Sequence, residues 1–260
     1  MQFIDLHGHY AWDIDDGIPS KEEALATLEI ASKNNIVTIA ATPHIIPGSH
    51  TREEIEHIKK RIEELKVLAS TKHINVYAGC ELFLNHDCIE AIHNDMFIPI
   101  EGTHYLLAEF DVRKELGSRD EVEDYLYEIE IKGYTPIVAH VERYFKDKLD
   151  IERVEEMIDN GYVIQINSSS LLGYHGKHAQ KFAYELIDHG LVHVIASDTH
   201  RSTGKRIPCL QETFDILSKK YDYTTLKTLM YENPLHILHD EDVDSIEIKK
   251  SLFSKLFKRR

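Results

Sequence analysis

Apolar positions along the chain fall into two alternating patterns. Short runs rich in Val, Ile, Leu and Ala recur at residues 3–7, 37–44, 75–82, 104–110, 135–140, 163–167 and 192–198. An apolar, β-branched run bounded by polar or turn-forming residues predicts a buried strand. Longer stretches between these runs carry helical signals. Ser20-x-x-Glu23 and Thr51-x-x-Glu54 have the form of capping boxes that open helices. Residues 119–132 and 177–189 read as amphipathic helices, and Gly133, Gly161 and Gly190 stand where C-caps are expected. Strands alternating with helices predict a parallel sheet, and 260 residues suit one α/β barrel better than two small domains. No repeat, low-complexity tract or Pro/Gly linker divides residues 1–238, which read as one domain. The acidic stretch HDEDVDSIE at 239–247 then separates this body, as a linker, from a basic amphipathic tail that completes residues 239–260.

At the ends of the seven runs, or one residue before the end in the third and fourth, stand His7, His44, Glu81, Glu109, His140, Asn167 and Asp198. All of them except Asn167 offer side chains that commonly bind metals. In a barrel of parallel strands all such ends converge on one mouth. Taken singly, a His or Glu at a strand end is ordinarily a hydrogen-bonded loop anchor. Taken together they are not so easily dismissed, because buried carboxylates crowded at one place repel and protonate unless cations hold them. His7 and His9 are two apart and share one face of an extended segment, and Asp198 and His200 in ASDTH repeat that spacing. Imidazole with carboxylate suits manganese, iron or zinc. Asp5 is expected to orient a ligating imidazole rather than to bind an ion itself.

Composition removes several alternatives. A formal charge of −15 disfavours nucleic acid as the main partner, since phosphate backbones attract basic surfaces. Cys80, Cys88 and Cys209 fit no metal-binding pair, and their odd number argues against a disulfide framework. None opens a Cys-x5-Arg phosphatase loop, because the residues six positions on are His86, Asn94 and Asp215. No apolar stretch of about eighteen residues and no basic–apolar leader occurs, so a cytoplasmic protein is expected.

DLHGH followed by WDIDDG, TPH at 42–44, GCE at 79–81, AEF at 108–110, AHVERY at 139–144 and ASDTH at 196–200 together resemble the polymerase-and-histidinol-phosphatase (PHP) superfamily. Within it they most resemble the bacterial tyrosine-protein phosphatases of capsular and exopolysaccharide operons. The resemblance spans about residues 1–238. It implies a distorted seven-stranded, TIM-like (β/α)7 barrel holding three divalent ions, usually manganese. Carried onto this chain, it implies His7, His9, Glu81 and Asp198 around one ion, and Glu81, Glu109 and His140 around a second, with Glu81 bridging. Asp16, His44 and His200 would hold the third, with Asp13 or Asp15 as alternatives to Asp16. It also implies Arg143 and Arg206 as substrate-contacting arginines; Lys205 or Arg201 could replace Arg206, and without the resemblance Arg143 reads as a surface ion-pair residue. The implied substrate is phosphotyrosine on an autophosphorylating kinase, with a small-molecule phosphatase such as histidinol-phosphate phosphatase, or a non-catalytic metal-stabilised module, as the competing readings.

Ions held close together activate water for in-line attack on phosphorus, so no cysteine nucleophile is required. A phenolate leaves with a pKa near 10 and needs less help from a general acid than an alkoxide. His175 and His178 in GYHGKH could approach the mouth, although loop histidines are ordinarily solvated. Tyr10 and Trp12 could flank the pocket and stack on a phenyl ring, although such aromatics more often pack. In the tail, Leu252, Phe253, Leu256 and Phe257 form one helical stripe among Lys255, Lys258, Arg259 and Arg260. A solvated terminus is the more ordinary reading, contact with an anionic membrane or a partner the alternative, and assembly into an oligomer is left open.

Overall fold

The computed structural model describes residues 1–248; the amphipathic tail expected at 249–260 lies outside them. Among the described residues the seven apolar runs become nine parallel strands. These are β1 (Phe3–Asp5), β2 (Ile36–Ala41), β3 (His44–Ile45), β4 (Asn75–Ala78), β5 (Glu81–Phe83), β6 (Tyr105–Glu109), β7 (Thr135–Val138), β8 (Val163–Asn167) and β9 (Val194–Ala196). Two runs are each broken near the C-terminal end, giving β2 with β3 and β4 with β5. The strands accordingly form a three-stranded sheet, β1-β2-β4, and a six-stranded sheet, β3-β5-β6-β7-β8-β9. Hydrogen bonds carry the strand pairing into the breaks, from Thr42 N to Gly8 O (2.9 Å) beyond β1 and β2 and from Glu81 N to Pro43 O (3.1 Å) ahead of β3. Just beyond β1 and β9, Gly8 bridges Thr199 in parallel, with His9 N donating to Thr199 O at 2.8 Å.

The helices are α1 (Lys21–Lys33), α2 (Arg52–Ser70), α3 (Cys88–His93), α4 (Arg119–Ile131), α5 (Ile151–Asp159), α6 (Ser168–Leu171), α7 (Lys177–Asp188), α8 (Leu210–Leu217), α9 (Tyr223–Lys227) and α10 (Asn233–Leu238). Thr51 and Glu54 complete a reciprocal capping box at α2. Ser20 caps α1 alone: it accepts from Glu23 N, while the Glu23 carboxylate turns away to Ser202 N (3.1 Å). The box expected at α1 is therefore half formed, and its acid is spent on the loop that follows β9. Helix α4 ends in a Schellman turn, in which Gly133 at φ +91° lets its own N–H reach Glu130 O and Tyr134 N–H reach Ile129 O.

Each central strand buries both faces, as parallel strands with helical covers must. One face meets the helices in the main core. The other forms a second core containing Ile4, Leu107, Ile137, Val163, Val194 and Ile237. Side chains alternate along a strand, so residues of one parity share this second face. Along β6 they run Tyr105, Leu107, Glu109; along β8, Val163, Gln165, Asn167; and from β9 onward, Val194, Ala196, Asp198. Each series begins apolar and finishes polar, so the fold carries a hydrocarbon base and a charged top.

The acidic stretch after residue 238 lies along that base. Asn233, fully buried, donates to His193 O (2.9 Å) and Asp244 O (2.8 Å) and accepts from Asp244 N (2.8 Å). Tyr105 Oη donates to Glu241 O, and Ile246 is buried. Asn233→Ala leaves these backbone groups without partners and should cost about 2–4 kcal/mol in urea unfolding. Limited proteolysis should then cut first within residues 239–248.

Candidate metal centre

Glu81 is the hub. Its carboxylate, 1% exposed, has Oε2 3.2 Å from both His7 Nε2 and His9 Nε2 and 3.3 Å from His44 Nδ1, while Oε1 lies 2.9 Å from His140 Nε2. Around it, Glu109 approaches His44 (3.1 Å) and His140 (3.5 Å), and Asp198 approaches His7 (3.6 Å), His9 (3.7 Å) and His200 (3.3 Å). Asp16 Oδ1 is 3.4 Å from Nε2 of both His44 and His200. All nine expected ligands thus meet at one place. They form four overlapping groups, each with ligand atoms within 4.8 Å of one another: His9–Asp16–His44–His200, His7–His9–Asp198, His7–Glu81–His140 and His44–Glu81–Glu109. The grouping is more interleaved than three separate sets, since His7, His9, His44 and Glu81 each belong to two groups.

The supporting bonds decide which ring nitrogen faces the centre. His7 Nδ1 bonds Gln165 Oε1 (3.1 Å) and His9 Nδ1 bonds Asp15 Oδ2 (2.6 Å), which turns both Nε2 atoms inward. Asp15 also accepts from His44 N, so it orients His9 and His44, while Asp16 is the acid of the cluster that enters a candidate group and Asp13 stands exposed at φ +58°. Asp5 does not orient an imidazole as expected. It accepts from Ser197 N (2.8 Å), Ser197 Oγ (2.5 Å) and Tyr10 Oη (2.8 Å), fastening β1 to the approach to Asp198. Gln165, absent from the sequence expectations, has the widest reach: besides His7 it accepts from His140 N (2.9 Å) and donates to Asn167, which donates to Asp198 (2.8 Å). Its position two residues before the Asn167 strand end was the available signal. His140 and Asp198 themselves have left-handed backbones (φ +32° and +54°), a costly conformation that dense surroundings must hold. Gly17 lets the acidic loop lie against His9, where a Cβ would collide with the His9 side chain.

The buried carboxylates stay ionised only because positive charge surrounds them. Burial would raise the Glu81 carboxyl, yet the His7 charge, the hydrogen bond from His140 and the close approach of the His7 and His9 imidazoles hold it well below its ordinary value. Burial likewise opposes ionisation of Asp198, and the Arg206 and His7 charges overcome it. Burial alone would lower the imidazoles, but Asp15 lifts His9 to about 9, Asp16 and Glu109 lift His44 to about 12, and Glu109 and Glu81 lift His140 to about 9. Protons there take a role that metal ions would fill. The fit is also geometric, because Nε2 of His7, His9 and His200 and Nδ1 of His44 are buried against these carboxylates without a well-formed hydrogen bond. Carboxylate plus imidazole donors suit divalent transition ions.

Two arginines reach the same carboxylate, Arg206 through Nη2 to Asp198 Oδ1 (2.8 Å) and Arg143 through Nη1 to Asp198 Oδ2 (3.5 Å). Both line a cavity of about 420 Å³ whose floor includes Glu81, Glu109 and His140. Of the alternatives to Arg206, Arg201 is occupied by the carbonyls of Asp16, Gly17 and His200, and Lys205 is exposed. His175 bonds Ser169 Oγ, and burial followed by the nearby Arg143 charge pushes it down to about 3; His178 is exposed on Lys146 O. Tyr10 is fully buried and Trp12 lies under Arg61, so neither faces the cavity.

A family model described as capsular polysaccharide synthesis, CpsB/CapC, matches residues 3–239. A putative tyrosine-protein phosphatase CapC from Staphylococcus aureus is 32% identical over 239 residues, spanning 91% of this chain and 92% of the relative. Tyrosine-protein phosphatase CpsB from Streptococcus pneumoniae is 31% identical over 245 residues, spanning 92% and 99%. A crystal structure described with YwqE from Bacillus subtilis and CpsB from Streptococcus pneumoniae as unique metal-dependent tyrosine phosphatases gives a TM-score of 0.79. Identity there is 25%, over 95% of this chain and 99% of the other. The phosphotriesterase homology protein of Escherichia coli, with a TM-score of 0.60 at 13% identity over 91% and 98%, shares the fold alone.

At neutral pH the raised His9, His44 and His140 carry protons that ligation must displace. Adding Mn2+ to chelator-stripped protein should release protons, read with an indicator dye, and apparent affinity should climb from pH 6.5 toward pH 9. Asp15→Asn should weaken metal binding roughly 10–100-fold by loosening His9, measured by competition with a fluorescent chelator.

Proposed function

The chain belongs to the CpsB/CapC family of capsular polysaccharide synthesis, and on that premise we propose that it is a metal-dependent protein-tyrosine phosphatase. The observation that carries this reading is the convergence of five imidazoles and four carboxylates in one cluster, of which Asp16, His44, Glu81, Glu109 and His140 line a cavity together with Arg143 and Arg206. His7, His9, Glu81 and Asp198 would hold a first ion, Glu81, Glu109 and His140 a second, and Asp16, His44 and His200 a third. Manganese is the metal proposed, with iron or zinc accommodated by the same donors. The two sheets are read as one distorted seven-stranded barrel of the PHP type, supported by the hydrogen bonds at the strand breaks and by the Gly8–Thr199 bridge. Residues 1–238 form its catalytic body in this reading.

Divalent ions in such a site activate water and neutralise phosphoryl charge. The chain's residues do the rest. Arg143 and Arg206, anchored on Asp198 and partly exposed, keep guanidinium donors free to grip phosphoryl oxygens. Gln165 and Asn167 hold His7, His140 and Asp198 against displacement as charge develops. With a phenolate leaving group no dedicated acid need protonate the ester oxygen. The proposed substrate is an autophosphorylating kinase of polysaccharide export, met at the cytoplasmic face of the membrane. Among the described residues no helix is long and apolar enough to cross a membrane.

Manganese-loaded protein should hydrolyse a phosphotyrosine peptide faster than a phosphoserine peptide or histidinol phosphate. Equal rates, or none on the peptide, would overturn the assignment. Arg143→Ala should lower kcat/KM on the order of 10²-fold while the metal count by mass spectrometry stays that of the wild type.

A further inference from the structure

Four apolar side chains stand in the wall of the charged cavity: Ile14, Ile46, Phe83 and Val112. Each is half-buried, and Ile14 and Val112 also rest against the main core. Scattered apolar residues on a surface need no explanation, but four converging above one polar floor form a built feature. Their positions follow from the strands. His44 and Glu81 are paired in register between β3 and β5, and Ile46 and Phe83 stand two residues further along each segment. Two residues of strand advance the chain about 7 Å and return the side chain to the same face. Phe83 is itself paired in register with Glu109, and Val112 follows Glu109 by three residues. Ile14 comes from the acidic loop, immediately before Asp15 and Asp16.

The result is a set of four apolar side chains outside the ligand layer, in a wall they share with His50, Asp111 and Arg113. A phosphoryl group seated at the ligands and gripped by Arg143 and Arg206 places its ester oxygen and the first carbons beyond it at this height. Resting on the phosphatase reading above, we propose that Ile14, Ile46, Phe83 and Val112 form a collar that clasps the aryl ring of the substrate and selects aryl over alkyl phosphates. An alkyl ester leaves part of the collar wetted, whereas a phenyl ring covers it, with Phe83 able to meet the ring edge-to-face or offset. Selection then arises through binding of the ring, separately from the groups that act on phosphorus.

The test uses ligands that cannot be hydrolysed, so that it does not depend on turnover. Full-length manganese-loaded protein is titrated calorimetrically with benzylphosphonate and with methylphosphonate. Wild type should favour benzylphosphonate roughly 10–100-fold, the range that modest apolar differences produce in a pocket. Phe83→Ala, and independently Ile46→Ala and Val112→Ala, should each shrink that ratio severalfold while metal content is retained. Equal affinities in the wild type, or variants that weaken both ligands alike, would overturn the collar. A clear benzyl preference in protein that hydrolyses no phosphotyrosine would sustain the collar and defeat the hydrolase reading instead.

Discussion

Burying the Glu81 carboxylate among four imidazoles is the constraint on which the rest of the structure depends. A carboxylate with 1% exposure must be neutralised in place, because removing an ion from water costs several kcal/mol. Here the compensating groups arrive from four separate parts of the chain, at His7 and His9, His44, His140, and, through Asp198, His200 and the arginines. No two of those parts can shift alone without stranding charge. The centre is therefore a tie between distant strands as well as a place for ions.

Rigidity at the centre is provided by neutral groups beneath it. Gln165 and Asn167 lie on the second-core face of β8, above Val163, and their amides reach His7, His140 and Asp198 together. An amide can donate and accept at once without adding charge, which suits a position between a basic and an acidic ligand. Asp5, by contrast, is itself buried and pushed up by that burial, and its contacts with Ser197 and Tyr10 act on the backbone leading to Asp198. The left-handed turns at His140 and Asp198 show what this scaffolding achieves, since each aims a ligand in a direction regular strand geometry would not permit.

Outside this frame, recognition is divided between two chemistries. Arg143 and Arg206 answer to phosphoryl charge, and both remain tethered to Asp198, so their positions are coupled to the state of the centre. The apolar wall answers to what the phosphate is attached to. A net charge of −15 gives the general field no pull on a phosphorylated substrate, so the arginines at the cavity supply the positive charge that meets it locally.

Much of this was written in the order of residues. Periodicity placed all seven apolar runs where strands occur, and the polar side chains near the ends of those runs named six of the nine residues that meet, because parallel strands with helical returns carry all their C-terminal ends to one side. Local patterns could not say how the groups interleave: His44 faces Asp16 with one ring nitrogen and Glu81 with the other, a fact of ring orientation. The diversion of Glu23 to Ser202, the approach of Asp16 to His44 and His200 and the reach of Gln165 are equally contacts between distant segments. The strand breaks fall at Thr42-Pro43 and at Gly79-Cys80, where a proline and a glycine interrupt otherwise apolar runs. The parity of a strand can be counted along one segment, but which atoms finally touch depends on packing several strands at once, and that is decided only when the chain closes around its charges.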